Sequence, residues 1–395
     1  MDRLHPVVFN DAWGSRVSIA SLRGLSIPSP QRESELWMGA HEEGPSPLAD
    51  RPGQTLADLV AADPQQALGE AALDRYGPRL PFLLKVLAPG KAISIQAHPT
   101  AEQAVTERSR TADTVYGDDW AKPELLVALA PFEVFVGMRD YPHSSEFLDR
   151  LGIARLTALA HRCASAQEPA HALLAAVLAT PLSERVALTR DVVAACVRVE
   201  ESGDEFGDAA AAIVRVAEEH PDDIGIVVLL LMNHRVLQPG EYIDVAAGVL
   251  HSYVRGLGIE VLANSDNVVR AGLTSKPVNV PELLRIVDPH ADGVAGRPQQ
   301  VRPGVEVFAS ASDRFVLHRV RAVDSRVRLP GEGGPRIAFC LRGGAELITP
   351  DEQVRLGAVE SVFVRATERD VYLSPGGEVF AVSTPAPTAY PLSPA

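Results

Sequence analysis

Cysteine is scarce in this sequence: Cys163, Cys196 and Cys340 stand far apart, and no C-x-x-C pair occurs. That pattern argues against a disulfide scaffold and against a thiolate metal site, and it points to a reducing compartment. Runs of lysine and arginine are also missing, and 37 basic against 51 acidic residues leave a formal net charge of −14. A nucleic-acid partner is therefore not expected, and an anionic substrate would need local cations to offset the acidic background. No apolar run approaches the roughly 18 residues that a membrane span needs. The start, M-D-R-L-H-P-V-V-F-N, lacks a basic segment followed by a long apolar one, so neither a signal peptide nor a membrane partner is expected, and the location expected is cytoplasmic.

What is present is a folded composition, 46% hydrophobic and 22% charged over 395 residues, long enough for two or three cores. Residues 1–138 carry Gly, Pro and short apolar alternations, which read as strands over 81–87, 92–97, 125–129 and 133–137. From about 144 to 220 the chain turns Ala-rich. Leu173, Leu174, Val177 and Leu178, then Val192, Val193, Cys196 and Val197, recur at helical spacing. Thr180-Pro181-Leu182-Ser183 separates two helices, with Ser183 as the expected N-cap. Strands resume over 226–231, 241–245 and 259–262, and Pro281 suits the start of a helix over 280–286. Beyond 300 the pattern is short strands and glycine turns, with a proline-rich tail expected to fray. The division expected is 1–138 and 222–298 for one β domain, 139–221 for a helical insertion, and 299–395 for a second β domain.

Chemistry gathers in two stretches. In P-G-K-A-I-S-I-Q-A-H-P-T, from Pro89 to Thr100, Ile93, Ile95 and Ala97 fall on one strand face and Ser94, Gln96 and His98 on the other. In P-G-E-Y-I-D-V-A-A-G-V-L-H, Gly240 and Gly248 bracket a strand and His251 follows a tight turn. The glycine-anchored spacings of both stretches resemble the paired motifs of the cupin barrel, which holds a divalent metal on inward-facing side chains. Gln96 stands where that motif has its first histidine, Ala246 stands for the usual proline, and no acid follows His98 at the usual distance. Glu124, in K-P-E-L-L-V-A-L, is the candidate for the missing acid, and strand parity puts Lys122 on the same side. Gln96, His98, Glu124 and His251 then offer two imidazole nitrogens and two oxygens, a set suited to one Zn2+ among divalent ions.

The run G-I-E-V-L-A-N-S-D-N-V-V-R-A-G-L-T-S-K, ending at Lys276, resembles the signature of the type I mannose-6-phosphate isomerases. E-L-W-M-G-A-H (35–41), S-I-Q-A-H-P (94–99), K-P-E-L (122–125) and L-L-L-M-N-H-R-V-L-Q-P-G-E (229–241) match the same family in order. The last hundred residues match only in general character. The resemblance implies a zinc-dependent aldose–ketose isomerase acting on mannose 6-phosphate and fructose 6-phosphate through an enediol(ate). It implies metal ligands at Gln96, His98, Glu124 and His251 and the catalytic arginine at Arg270. Lys122, Asp266 and Lys276 match other active-site positions, while Ser94 and Glu260 lie in matched motifs nearby. Many members have Asn-His before K-P-E, where this chain has Trp120-Ala121, a departure that leaves the ligands untouched but alters the local lining.

These residue types suit an isomerisation. A base must reach the proton on C2, for which Lys122, Asp266 or a metal-linked hydroxide are candidates. Arg270 could stabilise oxyanion charge, and Lys276 is the preferred phosphate contact. A catalytically silent sugar-phosphate-binding cupin and a metal-dependent oxygenase are the rival readings. The fold expected is mainly β with a helical insertion: tandem cupin (double-stranded β-helix, jelly-roll-like) barrels plus an all-α domain, the C-terminal barrel without metal because no histidine follows His318. A monomer is expected.

Overall fold

Four antiparallel sheets and a block of helices stack in layers, and the four main cores lie between those layers. The structure, a computed structural model, describes residues 1–110 and 114–386; the expected fraying of the tail falls beyond Ala386, outside the described residues. The first layer comprises the helices Tyr141–Leu151, Ala154–Cys163, Pro169–Leu178, Leu182–Ser202, Gly207–Glu219 and Gly225–Leu229. Their apolar stripes pack with Ile95, Ala97, Phe135, Leu250, Val254, Val269 and Ala271, the outer face of a five-stranded sheet.

That sheet runs Val269–Gly272, Ile95–Ala97, His251–Arg255, Phe132–Met138, Met232–Leu237 in spatial order. Facing it is a seven-stranded sheet in which Tyr242–Val245, Glu124–Ala128, Gly258–Ala263, Phe82–Leu87 and Glu35–Met38 are successive neighbours. Leu87, Leu126, Ile243 and Val245 from one sheet meet Phe132, Val134, Val136 and Tyr253 from the other. Two facing antiparallel sheets around a partly polar interior make a cupin-like arrangement.

The outer face of the seven-stranded sheet, with Leu84, Val86, Leu125, Val127, Ile259 and Val261, packs against a second seven-stranded sheet through Phe308, Leu317, Ile337, Phe339 and Phe380. A four-stranded sheet closes the far side of that one over Leu347, Leu356 and Leu373. The strand Asp2–Leu4 pairs with Glu360–Val364, so the first residues of the chain belong to the C-terminal sheet and not to the sheet that follows them in sequence. No single helix among the described residues is long and apolar enough to cross a membrane.

Several expectations differ from what forms. Residues 226–231 read as a strand, but Gly225–Leu229 is helical and the strand starts at Met232; a short apolar run buried on all sides has no periodicity to separate the two. Ser183 does not cap: the helix already begins at Leu182, with Pro181 in the cap position at φ −55°, ψ 140°. The first third also contains the short helices Leu56–Ala62, Pro64–Leu68 and Glu70–Tyr76, and the longer Ala101–Arg110, where only strands and turns were expected. Thr55 and Asp58 form a reciprocal capping box at the first of these. The helix Val280–Ile286 forms as expected, capped by Asn279 with Pro281 in its first turn.

Candidate active site

The strand Ile95–Ala97 lies between His251–Arg255 and Val269–Gly272, with Gln96 in register with His251 on one side and Arg270 on the other. Residues opposite one another on adjacent strands share a face, so Arg270, Gln96 and His251 form one row across the sheet. Ile95 and Ala97 turn the other way, into the helices, while Ile93 packs with the opposite core. The half-buried alternation that the sequence displays thus has helices on its apolar side and a cleft on its polar side. His98 follows at the strand's end, its carbonyl accepting from Gly248 N–H at 2.9 Å. Gly248 has φ +83°, and an added Cβ would press on Asp288 and the Ile286 carbonyl at 3.2 Å, so this turn before His251 calls for glycine.

Glu124 arrives from the opposite sheet. One carboxylate oxygen is 3.2 Å from His98 Nε2 and the other 3.5 Å from His251 Nε2. The three donor groups lie within 4.8 Å of one another, and all are buried. His98 Nδ1 is 2.7 Å from the Asn267 carbonyl and His251 Nδ1 is 3.0 Å from the Val249 carbonyl. A carbonyl only accepts, so both imidazoles carry their proton on Nδ1 and point the Nε2 lone pair inward. Two lone pairs and a carboxylate converging in a buried space repel one another unless a cation sits among them. His98 Nε2 is a buried atom without a hydrogen-bond partner among the described residues, as a metal-ligating nitrogen would be. The Gln96 amide lies 3.3 Å from His251 Nε2, and turning it by half a rotation presents its oxygen as a fourth donor. The donor set therefore fits a zinc-type ion.

Burial pushes His98 down to about 4, which keeps it neutral as a ligand must be. Burial alone would raise Glu124, but the Lys122 ammonium beside it holds it well below the usual carboxylate range. Lys122 Nζ is 3.2 Å from Glu124.

A cleft of about 520 Å³ opens over this group, lined by Ser94, Gln96, Lys122, Glu124, Glu260, Arg270 and Lys276, all expected from sequence. His98 and His251 lie beneath it. The side chains of Arg270 and Lys276, together with that of Lys91, have no hydrogen-bond or ion-pair partner among the described residues, so three cations face the cleft unneutralised. Asp266 is placed elsewhere: it meets His41 Nε2 at 3.2 Å and borders a separate cavity of about 340 Å³. The hydrogen bond from His41 holds its carboxyl below the ordinary value. The Ser94 hydroxyl lies 3.3 Å from the far end of the Gln96 amide and, once the amide oxygen is turned to the metal site, accepts from the amide N–H, orienting that amide.

Sequence reasoning missed Lys85, Lys91 and Glu35. Lys85 is in register with Glu260 on the strand Gly258–Ala263 and with Trp37. Its ammonium is 3.3 Å from Glu35, 4.0 Å from Glu260 and 4.4 Å from the Trp37 ring centroid. Burial would lower it, yet Glu35 and Glu260 outweigh burial and raise it. Burial, with the Glu124 charge beside it, pushes Glu260 up to about 8, so this carboxyl can donate a hydrogen bond at neutral pH. The signal for Lys85 was legible: one charge within F-L-L-K-V-L, a strand buried at all six positions.

Comparison with known proteins agrees with this geometry. A family model described as phosphomannose isomerase type I, catalytic domain, matches residues 1–141. The mannose-6-phosphate isomerase of Escherichia coli (strain K12) is 33% identical over 395 aligned residues, spanning 97% of this chain and 99% of that protein. A crystal structure of a single-residue variant of phosphomannose isomerase from Salmonella typhimurium superposes with a TM-score of 0.87 at 30% identity, covering 98% of this chain and 100% of the other. A zinc-bound mannose 6-phosphate isomerase structure gives a TM-score of 0.85 at 30% identity over 98% of this chain and 99% of the other.

Proposed function

The chain belongs to the type I phosphomannose isomerase family, and from that membership we propose that it interconverts mannose 6-phosphate and fructose 6-phosphate with one zinc ion held by Gln96, His98, Glu124 and His251. The observation that carries the ligand assignment is the convergence of two imidazole lone pairs on Glu124 beneath a cationic cleft. Zinc bound there supplies Lewis acidity toward the oxygens of the open-chain sugar.

The protein's own groups do the rest. Lys122, beside Glu124, is positioned to exchange a proton with the carbons next to the metal centre. Arg270, in the same row as Gln96 and His251, brings an unpaired guanidinium to the oxygen that gains charge in an enediolate. Glu260, in register with Lys85 and lining the cleft, is placed to hydrogen-bond a sugar hydroxyl, and Lys85 fixes its position. Lys276 and Lys91 take the phosphate, so that binding energy remote from C1 and C2 orients the reacting carbons. Ser94 orients Gln96. Asp266, paired with His41 at the neighbouring cavity, takes no part in this scheme.

The division 1–138 and 222–298 for the catalytic cupin barrel, 139–221 for the helical insertion and 299 onward for a second barrel without metal is adopted with one change: the strand Asp2–Leu4 joins the second barrel. The two facing pairs of sheets, each around its own core, support that tandem division. An assay coupled to fructose 6-phosphate formation from mannose 6-phosphate, run on metal-replete and chelated protein, tests the reading. Turnover that is lost on chelation and restored by zinc is expected; no turnover by the metal-replete chain rejects the isomerase, and chelator-insensitive turnover rejects the metal's role.

A further inference from the structure

The Trp120-Ala121 step, where the sequence departs from its family's pattern, immediately precedes Lys122 and Glu124. Trp120 is 7% exposed. The Arg79 guanidinium lies 3.9 Å from its ring centroid and that of Arg314 4.2 Å, with Tyr76 edge-on at 6.5 Å. Arg79 comes from the segment before the strand Phe82–Leu87, but Arg314 comes from the turn before Val316–Ala322 in the C-terminal sheet. Two guanidiniums repel each other, and each gains by facing the electron-rich ring, so the indole holds together charges that would otherwise separate.

The loop that carries Trp120 is tied in turn to the metal ligands. Its carbonyl accepts from Asn267 Nδ2 at 2.8 Å, and the Asn267 carbonyl receives the Nδ1 proton of His98 at 2.7 Å. Two and four residues further along, Lys122 and Glu124 enter the cleft. Beside the direct packing of Leu125 and Val127 on the C-terminal sheet, one aromatic ring thus links that sheet to the loop that leads to the metal centre.

We propose that Trp120 is a positioning residue, through which Arg314 of the C-terminal domain fixes the loop that delivers Lys122 and Glu124 to the reacting sugar. The isomerase depends on its C-terminal domain for catalytic geometry, although that domain adds no residue to the cleft floor around the ligands. This inference rests on the isomerase reading for its kinetic arm alone.

The test compares Arg314→Ala, Arg314→Lys, Trp120→Leu and the Arg314→Ala/Trp120→Leu double variant as zinc-loaded full chains. Displacing a proton-transfer group by a fraction of an ångström to 1 Å lowers rates by about 10- to 100-fold. Arg314→Ala and Trp120→Leu should therefore lose about that much kcat, with KM within about threefold and zinc content unchanged. Arg314→Lys, which keeps a cation for the ring, should recover most of the loss. The double variant should be no worse than the poorer single one, because both residues act through one contact. Amide exchange across residues 114–126 should quicken about tenfold in Arg314→Ala, some 190 residues away in sequence, since a loosened loop opens more often. Unchanged exchange in that segment overturns the proposal whether or not the chain turns over mannose 6-phosphate. So does a normal kcat in both single variants, or losses that multiply in the double one. Should Trp120→Leu fail to fold, the two Arg314 variants and the exchange measurement decide the matter alone.

Discussion

Replacing Asn267 by alanine removes a fully buried side chain whose amide works at both ends. Its Nδ2 donates to the Asp118 and Trp120 carbonyls, each at 2.8 Å, and its Oδ1 accepts from Gly117 N–H at 3.0 Å. Each bond contributes about 1 kcal/mol net, and each buried group left without a partner costs about 1–3 kcal/mol. The Trp120 carbonyl is left buried and bare, at about 1–3 kcal/mol, while the part-buried Asp118 carbonyl and Gly117 N–H lose about 1 kcal/mol each, so the loss should be about 3–5 kcal/mol, a large part of the roughly 5–15 kcal/mol that typically holds a folded domain. Asn267→Asp is the sharper comparison. It keeps the acceptor for Gly117, yet turns a carboxylate toward two carbonyl oxygens in place of a donor, so at pH 8 it should be less stable than Asn267→Ala. Once protonated, the new carboxyl can donate again, and the gap between the two variants should close as pH falls toward 5. Guanidinium unfolding midpoints at pH 5 and pH 8, read beside zinc content, supply the comparison. An Asn267→Ala variant within about 1 kcal/mol of the parent chain, or Asn267→Asp matching the parent at pH 8, would refute the reasoning that this amide staples the loop.

Arg270→Ala should lower kcat by roughly 100- to 1,000-fold while zinc stays near one per chain, as expected for a donor aimed at developing charge; near-normal turnover removes Arg270 from the chemistry. His318 tests a site far from the metal: its Nδ1 is sealed from solvent with no hydrogen-bond partner among the described residues, and burial pushes the ring down to about 4. The unfolded chain, titrating near 6.5, takes up the proton first as pH falls, so stability from the neutral ring is whole above about 6.5 and drains away by about pH 4. That difference amounts to about 3 kcal/mol. His318→Gln should accordingly show a shallower fall in unfolding midpoint between pH 6.5 and 4, and identical slopes in the two proteins would contradict the assignment.

How much of this was legible in the sequence depended on whether neighbouring residues carried the signal. Gln96, His98 and His251 were legible because a strand's period of two sorts side chains onto faces and glycines mark where strands end. Parity along one strand likewise joined Lys122 to Glu124, and their 3.2 Å contact follows. What parity cannot give is which strands are neighbours. Lys85 owes its place to pairing with Glu260 across 175 residues, and Trp37 to pairing with Lys85. The pairing of Asp2–Leu4 with Glu360–Val364 has the same non-local origin. Asp266 was drawn toward the cleft by its position in the Ser-Asp-Asn run. Its neighbour Asn267 is buried as the staple, and Asp266 itself meets His41 on the other side of the loop. The helices missed in the first third are five to ten residues long, too short for a period of 3.6 to separate them from turns.

The charge pattern resolves a tension in the sequence. A chain with net charge −14 should repel a sugar phosphate, and screening over about 8 Å at physiological salt only weakens that repulsion. Within the cleft the balance is different. Lys85, Lys91, Lys122, Arg270 and Lys276 face Asp11, Glu35, Glu124 and Glu219, while Glu260, pushed up to about 8, contributes no full charge at neutral pH. Five cations against four carboxylates leave the metal-free lining near +1; a divalent ion on Glu124 adds two charges but relieves the repulsion that keeps Glu260 protonated, so the loaded lining stands near +2. Two of the carboxylates are engaged at the floor, Glu35 with Lys85 and Glu124 with Lys122 and the imidazoles. The unpaired cations, Lys91, Arg270 and Lys276, are thus the ones left to meet a dianion. Burying the acids against their own partners, with a divalent ion among them, is how an acidic protein presents a positive cleft.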